Sequence, residues 1–315
     1  MVAYLDFEKP IAELQSRISE LRETAANGVA DIDSELTKLE LKAQRMLQDT
    51  YAKLTPWQKT QVARHPARPH FKDYISRLFD DFVPLAGDRA FGDDPAILGG
   101  FGRIGNRRVV VIGHEKGEDT TSRLRHNFGM AKPEGYRKAI RLMELADRFG
   151  LPLITIVDTP GAFPGLAAEE RGQAEAIARS TQATLALGVP VVACVVGEGG
   201  SGGAVALAAG NRVIMFEHAI YSVITPEGCA SILWRSADKA ADAAEAMRIT
   251  AVDLERFGVV DFVVREPVGG AHRSPMQAID ALGNAMTSAL DELGRMKPVD
   301  LRLDRRRKFL AMGSI

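Results

Sequence analysis

VPVVACVVGEGGSGGAVALAAG, residues 189–210, decides the fold. The first part is an apolar run of strand length, which is typical of a strand buried on both faces of a parallel sheet. The last part, AVALAAG, is apolar and rich in alanine, a strong helix former. The sequence therefore predicts a buried strand, a glycine turn and a short helix in direct succession.

The glycine segment 197–204, GEGGSGGA, matches several motifs. As G-x-G-x-x-G it would bind a dinucleotide, but the helix after it is short for a βαβ crossover. As G-x-S-x-G it would present Ser201 as the nucleophile of a serine hydrolase. Read as plain backbone, it offers N–H groups at a helix N-terminus, which can bind an oxyanion.

The hydrolase alternative stays open at this stage because the chain order is suitable. Ser201 precedes an acid and then His272, the order found in α/β-hydrolases. The candidate acids are Asp238, Asp253 and Asp261. Order without geometry is weak evidence, and His272 is more simply a loop or interface histidine.

A second glycine-rich turn, DTPGAFPG at 158–165, follows the apolar strand LPLITIV. Two such turns on neighbouring strands predict one extended cleft for a long ligand. It resembles the D-x-x-G element of GTPases, but no G-x-x-x-x-G-K-[ST] segment accompanies it. We therefore exclude a GTPase.

The remaining pattern alternates strands and helices. Gly105-Asn106 predicts a hairpin turn between two β-rich runs. The segment 133–150 predicts a helix that begins at Pro133 and ends at Gly150. Apolar strands that alternate with helices predict an α/β fold with a sheet covered on both faces.

The N-terminal region predicts a helical hairpin. Apolar residues recur at three- and four-residue spacing from Ile11 to Leu21 and again from Leu36 to Met46. Asn27-Gly28 breaks the pattern, and Asp31 or Asp33 would cap the second helix. We expect this hairpin to pack on its own domain.

Composition excludes several classes of protein. The chain has 315 residues and a net charge of −1, which gives no general attraction to nucleic acid or membrane. No apolar run reaches the roughly 18 residues of a membrane span. Only two cysteines, Cys194 and Cys229, occur, so we expect a reducing, cytoplasmic compartment and no zinc site made by this chain alone.

Three basic groups are candidates for anion contacts. ARHPARPH, residues 63–70, predicts a loop because of its prolines, and a solvated loop is its simplest interpretation. The run 305–308, RRRK, is most simply a solvated helix face. A third group surrounds RLRHNFGMAKPEGYRK and includes Arg123, Arg125, Lys132 and Arg137.

Long stretches along nearly the whole chain resemble the alpha subunits of the bacterial and plastid acetyl-coenzyme A carboxylase carboxyltransferase. These stretches are LDFEKPIAEL, WQKTQVARHPARP, PLAGDRAFGDD, RRVVVIGHEKG, RHNFGMAKPEGYRKAIRLM, DTPGAFPG, GEGGSGGA, YSVITPEGCASILWRSADKA and EPVGGAHR. The glycine motif shows no departure from the family pattern, while Phe163 stands where a tyrosine is frequent.

The resemblance implies a crotonase (ClpP-like) fold of repeated ββα units. It implies transfer of a carboxyl group from carboxybiotin, held on a biotin carboxyl carrier protein, to acetyl-CoA, giving malonyl-CoA for fatty acid biosynthesis. A separate biotin carboxylase loads the biotin with ATP. The site is shared with a beta subunit that carries the zinc ribbon, and we expect an alpha2beta2 assembly. Biotin can itself remove the proton of the acetyl group, so no protein base is required.

The resemblance also implies site residues. The backbone N–H groups of Gly202 and Gly203 are expected to bind the biotin carbonyl as an oxyanion. Arg123, Arg125, Lys132 and Arg137 are expected contacts for CoA or the carrier. The expected substrate-binding residues are Gly161, Ala162, Phe163, Gly165, Gly199, Gly200 and Ser201.

We expect three regions: a helical segment at 1–36, a carboxyltransferase domain at 37–293 and a helical basic tail at 294–315. Helix spacing alone would place the first boundary near residue 55. Besides the serine hydrolase, a non-catalytic scaffold for the beta subunit remains an alternative.

Overall fold

The computed structural model describes residues 4–26 and 33–313. Within them, eight strands form one mixed sheet: β1 (Asp80–Pro84), β2 (Ile97–Ile104), β3 (Arg107–His114), β4 (Leu153–Thr159), β5 (Val191–Gly200), β6 (Arg212–Phe216), β7 (Ile220–Ser222) and β8 (Phe262–Val264). The α-helices of the described residues are α1 (Lys9–Ala26), α2 (Asp33–Tyr51), α3 (Pro56–Ala63), α4 (Phe71–Leu78), α5 (Thr120–Arg125), α6 (Pro133–Phe149), α7 (Leu166–Glu169), α8 (Gln173–Ala186), α9 (Ser201–Ala208), α10 (Pro226–Trp234), α11 (Ala240–Met247), α12 (Ala251–Arg256), α13 (Pro275–Leu293) and α14 (Pro298–Ala311). Short 3-10 helices span Asp6–Glu8, Asn127–Gly129 and Ala237–Lys239.

The order of the strands in the sheet follows their order in the chain, except for β7, which pairs with β5. Its order is β1-β2-β3-β4-β5-β6-β8. The first three strands are antiparallel, and the predicted hairpin at Gly105-Asn106 joins β2 to β3. From β3 onward the neighbouring strands are parallel. Their carboxyl ends therefore meet at one edge, where both glycine turns lie.

Strand β5 pairs with two different neighbours. Residues Val192 to Val195 pair with β6, whereas Glu198 to Gly200 pair with β7. The glycines up to Gly200 are thus part of a strand rather than of the predicted turn. The chain reverses only at Ser201, whose φ is 49°.

Burial agrees with the apolar pattern. Every residue of β4 and every residue of β5 is buried. Helix α6 begins at Pro133 and ends before Gly150, which adopts the left-handed conformation as C-cap. The predicted helix and its stop signal are confirmed.

The N-terminal hairpin packs onto the domain. Arg22 of α1 and Glu40 of α2 form an ion pair at 2.5 Å. The buried carboxylate of Glu8 accepts hydrogen bonds from Tyr51 at 2.9 Å and from Arg273 at 2.7 Å. The predicted break at Asn27-Gly28 and the Asp31 cap lie outside the described residues.

The C-terminal basic run differs from the prediction. Arg305 is fully buried, and its guanidinium donates to the carbonyls of Leu187 and Val189 and to Asn211 Oδ1. Lys308 pairs with Asp261. Arg306 and Arg307 are exposed as predicted, whereas the prediction is wrong for Arg305 and Lys308, because α14 covers the loop after α8.

The predicted regional boundaries meet the helices in different ways. Position 37 lies inside α2, and position 294 lies between α13 and α14. The three-part division stays a prediction. Among the described residues, no helix is both long enough and apolar enough to cross a membrane.

Candidate active site

The two glycine turns are in direct backbone contact. Thr159 at the end of β4 pairs with Gly199 of β5. A Cβ atom on Gly200 would lie 2.1 Å from the carbonyl oxygen of Pro160. One on Gly203 would lie 2.8 Å from the amide nitrogen of Ala162. Only glycine permits this approach, since the obstacles are backbone atoms.

Helix α9 begins immediately after this contact, and no side chain caps it. The first N–H groups of a helix have no acceptor within the helix. Gly202 is half-buried and Gly203 is buried. Both lie in the first turn of α9, and as glycines they have no side chain that could cover their N–H groups. Such donors, together with the positive end of the helix dipole, can stabilise a developing oxyanion.

Ser201 lies at the entry of α9 in the left-handed region, with φ of 49°. A strained serine between glycines is the geometry of a nucleophile elbow. Its hydroxyl nevertheless has no hydrogen bond to any described histidine or acid. His272 instead stacks on His65, with ring centroids 4.0 Å apart, and approaches Tyr51 Oη at 3.5 Å. Burial and then the nearby positive groups lower the pKa of His272 to about 3.

The candidate acids are likewise engaged elsewhere. Asp253 accepts from Thr250 at 2.7 Å, Asp261 from the Val213 amide at 2.6 Å, and Asp238 from Ser236 at 3.1 Å. Ser201, His272 and the candidate acids therefore do not form a catalytic triad, although their order in the chain is that of a hydrolase.

A mostly apolar groove runs beside the start of α9. It has a volume of about 290 Å³ and is lined by Ser201, Gly202, Val205, Tyr221, Ser222, Val223, Leu254 and Val259. Val223 is 78% exposed. The groove can accept an apolar portion of a ligand whose polar head meets the N–H groups of α9.

The first turn is held in place by hydrogen bonds. Thr159 Oγ1 donates to the carbonyl of Gly161 at 2.7 Å. The amide of Phe163 donates to Ala131 at 2.9 Å, and Gln173 donates to the Phe163 carbonyl at 2.9 Å. The ammonium of Lys132 lies 5.2 Å from the Phe163 ring centroid. A Cβ on Gly165 would lie 2.3 Å from that ring, so a side chain there would displace the Phe163 ring.

A buried ion network lies directly behind the turns. Lys116 Nζ, just beyond β3, contacts Asp158 Oδ1 at 2.7 Å and Glu198 Oε1 at 3.0 Å. Arg64 Nε contacts the other oxygen of Glu198 at 2.6 Å, and its NH1 contacts Glu227 at 2.5 Å. Sequence reasoning missed this network. A usable signal was present, because Asp158 and Glu198 are single charges near the ends of two apolar strands, and Lys116 lies two residues beyond the end of a third.

Electrostatic attraction keeps the network ionised. Burial favours neutral Lys116, but the attraction of Asp158 and Glu198 outweighs it and raises its pKa. Burial likewise favours neutral Glu198, yet Lys116 and Arg64 lower its pKa. Each charge is thus stabilised by opposite charges a few ångströms away.

A charged cavity of about 260 Å³ adjoins this network. Its lining includes Arg64, His65, Arg68, His70, Lys116, Arg123, Phe128, Asp158, Pro160 and Glu198. His65, Arg68 and His70 are only 4%, 3% and 7% exposed. The solvated loop predicted for 63–70 is therefore wrong, because these side chains turn inward and Arg68 pairs with buried Glu266 at 2.8 Å.

The four basic candidates have different surroundings. Arg123 borders the cavity, while Arg125 is exposed. Lys132 lies beside the first turn. Arg137 is engaged within the fold, since it donates to buried Asp88 at 2.8 Å and to the Arg171 carbonyl at 3.1 Å. The described residues contain no group of three or more histidines, cysteines or acids arranged to hold a metal ion.

Comparison with solved structures identifies the fold. Transcarboxylase 12S with methylmalonyl-coenzyme A bound matches with a TM-score of 0.55 at 21% identity, over 68% of this chain and 41% of that longer chain. A Pseudomonas malonate decarboxylase hetero-tetramer in complex with coenzyme A matches with a TM-score of 0.56 at 18% identity, over 70% of this chain and 89% of the other. These likenesses confirm the predicted crotonase (ClpP-like) fold.

Sequence comparison identifies the family. The model described as acetyl co-enzyme A carboxylase carboxyltransferase-like matches residues 4–313. The acetyl-coenzyme A carboxylase carboxyl transferase subunit alpha of Rhizorhabdus wittichii is 73% identical over 99% of this chain and 100% of that protein. The subunit alpha of Zymomonas mobilis is 67% identical, with 99% and 100% covered. The chain therefore belongs to the family of acetyl-coenzyme A carboxylase carboxyltransferase alpha subunits, which are carboxyltransferase enzyme subunits.

Proposed function

We propose that this chain, together with a beta subunit, transfers the carboxyl group of carboxybiotin on a carrier protein to acetyl-CoA and so forms malonyl-CoA. The observation that carries the proposal is the uncapped start of α9, where the N–H groups of Gly202 and Gly203 adjoin the turn at Gly161 and Ala162. Such an arrangement suits a reaction that develops negative charge on a carbonyl oxygen.

The residues present fit a biotin carbonyl. The approach to the N–H groups is free of side chains at Gly202 and Gly203, so a carbonyl oxygen can reach hydrogen-bonding distance of the backbone. When bound, biotin supplies the carboxyl group and the base for the reaction. The chain orients the carbonyl through these donors and lines its surroundings with Gly161, Ala162, Phe163, Gly165, Gly199, Gly200 and Ser201.

We further propose that Arg123, Arg125 and Lys132 contact phosphates of CoA or acidic groups of the carrier protein. Arg137 is part of the same sequence cluster, but its ion pair with Asp88 favours a role in holding the loop at 87–94. Replacing Arg123 or Arg125 by methionine should reduce the salt dependence of the half-saturation constant for the CoA substrate, because surface attraction is screened by salt. An unchanged salt dependence would exclude Arg123 and Arg125 as contacts of the CoA phosphates.

The partners proposed are the beta subunit, the biotin carboxyl carrier protein and the ATP-using biotin carboxylase, with zinc on the beta subunit and an alpha2beta2 core. The naming of the relatives as alpha subunits supports a multi-subunit enzyme. The location proposed is reducing and cytoplasmic, in keeping with the free thiols of Cys194 and Cys229. The proposed product, malonyl-CoA, would serve fatty acid biosynthesis.

The reverse reaction tests the proposal. Malonyl-CoA and a free biotin derivative are given to this chain with its candidate beta subunit, and acetyl-CoA formation is compared with that of each chain alone. Activity only in the mixture is the expected result. A stable complex without activity would contradict it.

The scaffold alternative is tested in the same assay with Gly203→Val. A chain that merely anchors the beta subunit would tolerate this substitution, whereas a shared oxyanion site would not.

A further inference from the structure

The two glycine turns are each preceded by a buried carboxylate. Asp158 comes directly before Thr159-Pro160-Gly161, and Glu198 directly before Gly199-Gly200-Ser201. Their side chains are both 8% exposed. Asp158 Oδ1 also accepts the Glu198 backbone N–H at 2.9 Å, so the two strand ends are joined at this point.

One ammonium group bridges both carboxylates. Lys116 Nζ lies 2.7 Å from Asp158 and 3.0 Å from Glu198, and its side chain is 15% exposed. Two carboxylates that share one site repel each other unless a cation lies between them. Lys116 therefore offsets the repulsion between the two carboxylates by attracting both of them, and this draws the two turns together.

The position of Lys116 is itself fixed by its loop. The following residue, Gly117, has φ of 84°, and its amide donates to Glu115 Oε1 at 2.7 Å. The other oxygen of Glu115 accepts from the Lys72 amide at 3.2 Å, which ties the loop to α4. The Lys116 stem passes Gly129, where a Cβ would lie 3.0 Å from its Cγ. The ammonium is thus placed by contacts outside the two turns.

Arg64 does not replace this bridge. It contacts Glu198 and Glu227 but makes no ion pair with Asp158. If the Lys116 charge is lost, Asp158 retains the backbone N–H of Glu198 as a partner but has no cation between it and the Glu198 carboxylate, whose remaining ion pair with Arg64 does not reach Asp158. The expected response is a separation of the turns, which would move Ala162 and Gly203 apart.

We propose that Lys116 is a positioning residue that sets the distance between the two glycine turns and thereby aims the oxyanion-binding N–H groups of α9. Lys116 acts through Asp158 and Glu198 rather than on the substrate. The inference rests on the proposed function for its catalytic consequence, whereas its structural part stands on the ion network alone.

The first test is Lys116→Met in the full chain assembled with the beta subunit. We expect kcat of the reverse reaction to fall about 10- to 100-fold, since misplacing a reacting group by about 1 Å costs up to 10² in rate. The KM for malonyl-CoA should change less than about threefold, because the substitution removes no substrate contact. Lys116→Arg, which keeps the charge, should retain more activity than Lys116→Met. Exposed Lys72 provides the matched control, and Lys72→Met should leave kcat unchanged.

The pH profile gives a readout that a general loss of stability would not. Burial raises the pKa of Glu198, and Lys116 is the first of the groups that lower it, so without the ammonium Glu198 binds a proton more readily. The protonated carboxyl no longer repels Asp158 and can donate a hydrogen bond to it. The kcat of Lys116→Met should therefore rise relative to wild type as the pH falls from about 8 to 6, while its melting temperature is followed in parallel. The charged or titratable groups that face the network are Arg64, His65, Arg68, His70, His114, Arg123 and Glu227.

Hydrogen exchange tests the structural part without any activity. Amides at 159–163 and 199–204 should exchange faster in Lys116→Met, while those of α6 and α13 stay at their wild-type rates. If the single variant folds poorly, Lys116→Met with Asp158→Asn removes one charge of each sign and should fold and transfer better than Lys116→Met.

The proposal is overturned if folded Lys116→Met keeps wild-type kcat, if exchange rises throughout the chain, or if the double variant gives no improvement. An inactive wild-type mixture would contradict the proposed function alone, and the exchange experiment would still decide the role of Lys116.

Discussion

Gly203 and Ala162 belong to different turns, yet a Cβ on Gly203 would lie 2.8 Å from the Ala162 amide nitrogen. The requirement for glycine at 203 is therefore one of space, not of backbone angle. Any side chain there must push one turn away from the other. The same contact that forbids a side chain also brings two strand ends into one site.

Gly203→Val should abolish carboxyl transfer. The added side chain displaces the turn at Ala162 and blocks the approach to the N–H groups, and loss of one oxyanion donor alone costs about 10²- to 10³-fold in rate. The reverse assay measures this. Gly92→Ala is the control, because a Cβ at that position, away from the two turns, would meet no atom within 4 Å. Near-normal activity of folded Gly203→Val would refute the site.

Ser201→Ala should retain activity within about tenfold, because the hydroxyl has no hydrogen-bond partner among the described residues. Ser201→Gly should be at least as stable as Ser201→Ala, since the left-handed backbone costs a non-glycine residue about 1–2 kcal/mol. The reverse assay checks the activity of Ser201→Ala, and thermal unfolding compares the stabilities of the two variants. A dead Ser201→Ala, or labelling by a serine-directed fluorophosphonate, would restore the nucleophile hypothesis.

His114→Leu should weaken the pH dependence of stability. Burial and then repulsion by Lys116 lower the His114 pKa to about 3 in the folded chain. The unfolded chain takes up this proton near pH 6.5. The contribution of neutral His114 to the free energy of unfolding is therefore fully present above that pH and declines as the pH falls toward 3. Between pH 6.5 and 5 the loss is about 2 kcal/mol. Urea unfolding at several pH values measures the free energy of unfolding. An equal slope of that free energy against pH in His114→Leu and wild type would contradict the assignment of the pH dependence to His114.

Arg305→Met should lower the free energy of unfolding by about 2–4 kcal/mol, because it leaves the carbonyls of Leu187 and Val189 without their donor. Burial and then Arg302 lower the pKa of Arg305 to about 10, so it stays charged at neutral pH. Arg306, its exposed neighbour, is the control. Arg306→Met should change stability by less than about 0.5 kcal/mol. Urea unfolding of both variants decides whether the two arginines differ.

The sequence was sufficient where the signal is local. The apolar runs of β4 and β5, Pro133 and Gly150 at the ends of α6, and the hairpin at Gly105-Asn106 each act through neighbours in the chain. The backbone interpretation of Gly202 and Gly203 also uses a local signal, a strand followed at once by a helix, and it stays a prediction.

Long-range pairing explains what the sequence did not reveal. Arg68 is buried because Glu266 lies beside it, 198 positions along the chain. Lys116, Asp158 and Glu198 are far apart in the chain and form an ion network only because three strand ends meet. A basic residue in a proline-rich or helical run is normally solvated, and only its distant partner reverses that expectation.

The contact between Glu8 and Arg273 joins residues 265 positions apart. During synthesis the first helix must therefore wait for almost the entire chain before its buried carboxylate meets its partner. Closing so long a loop is slow, whereas α1 can meet the neighbouring α2 early. The N-terminus is thus made first, yet we expect Glu8 to reach Arg273 only late in folding.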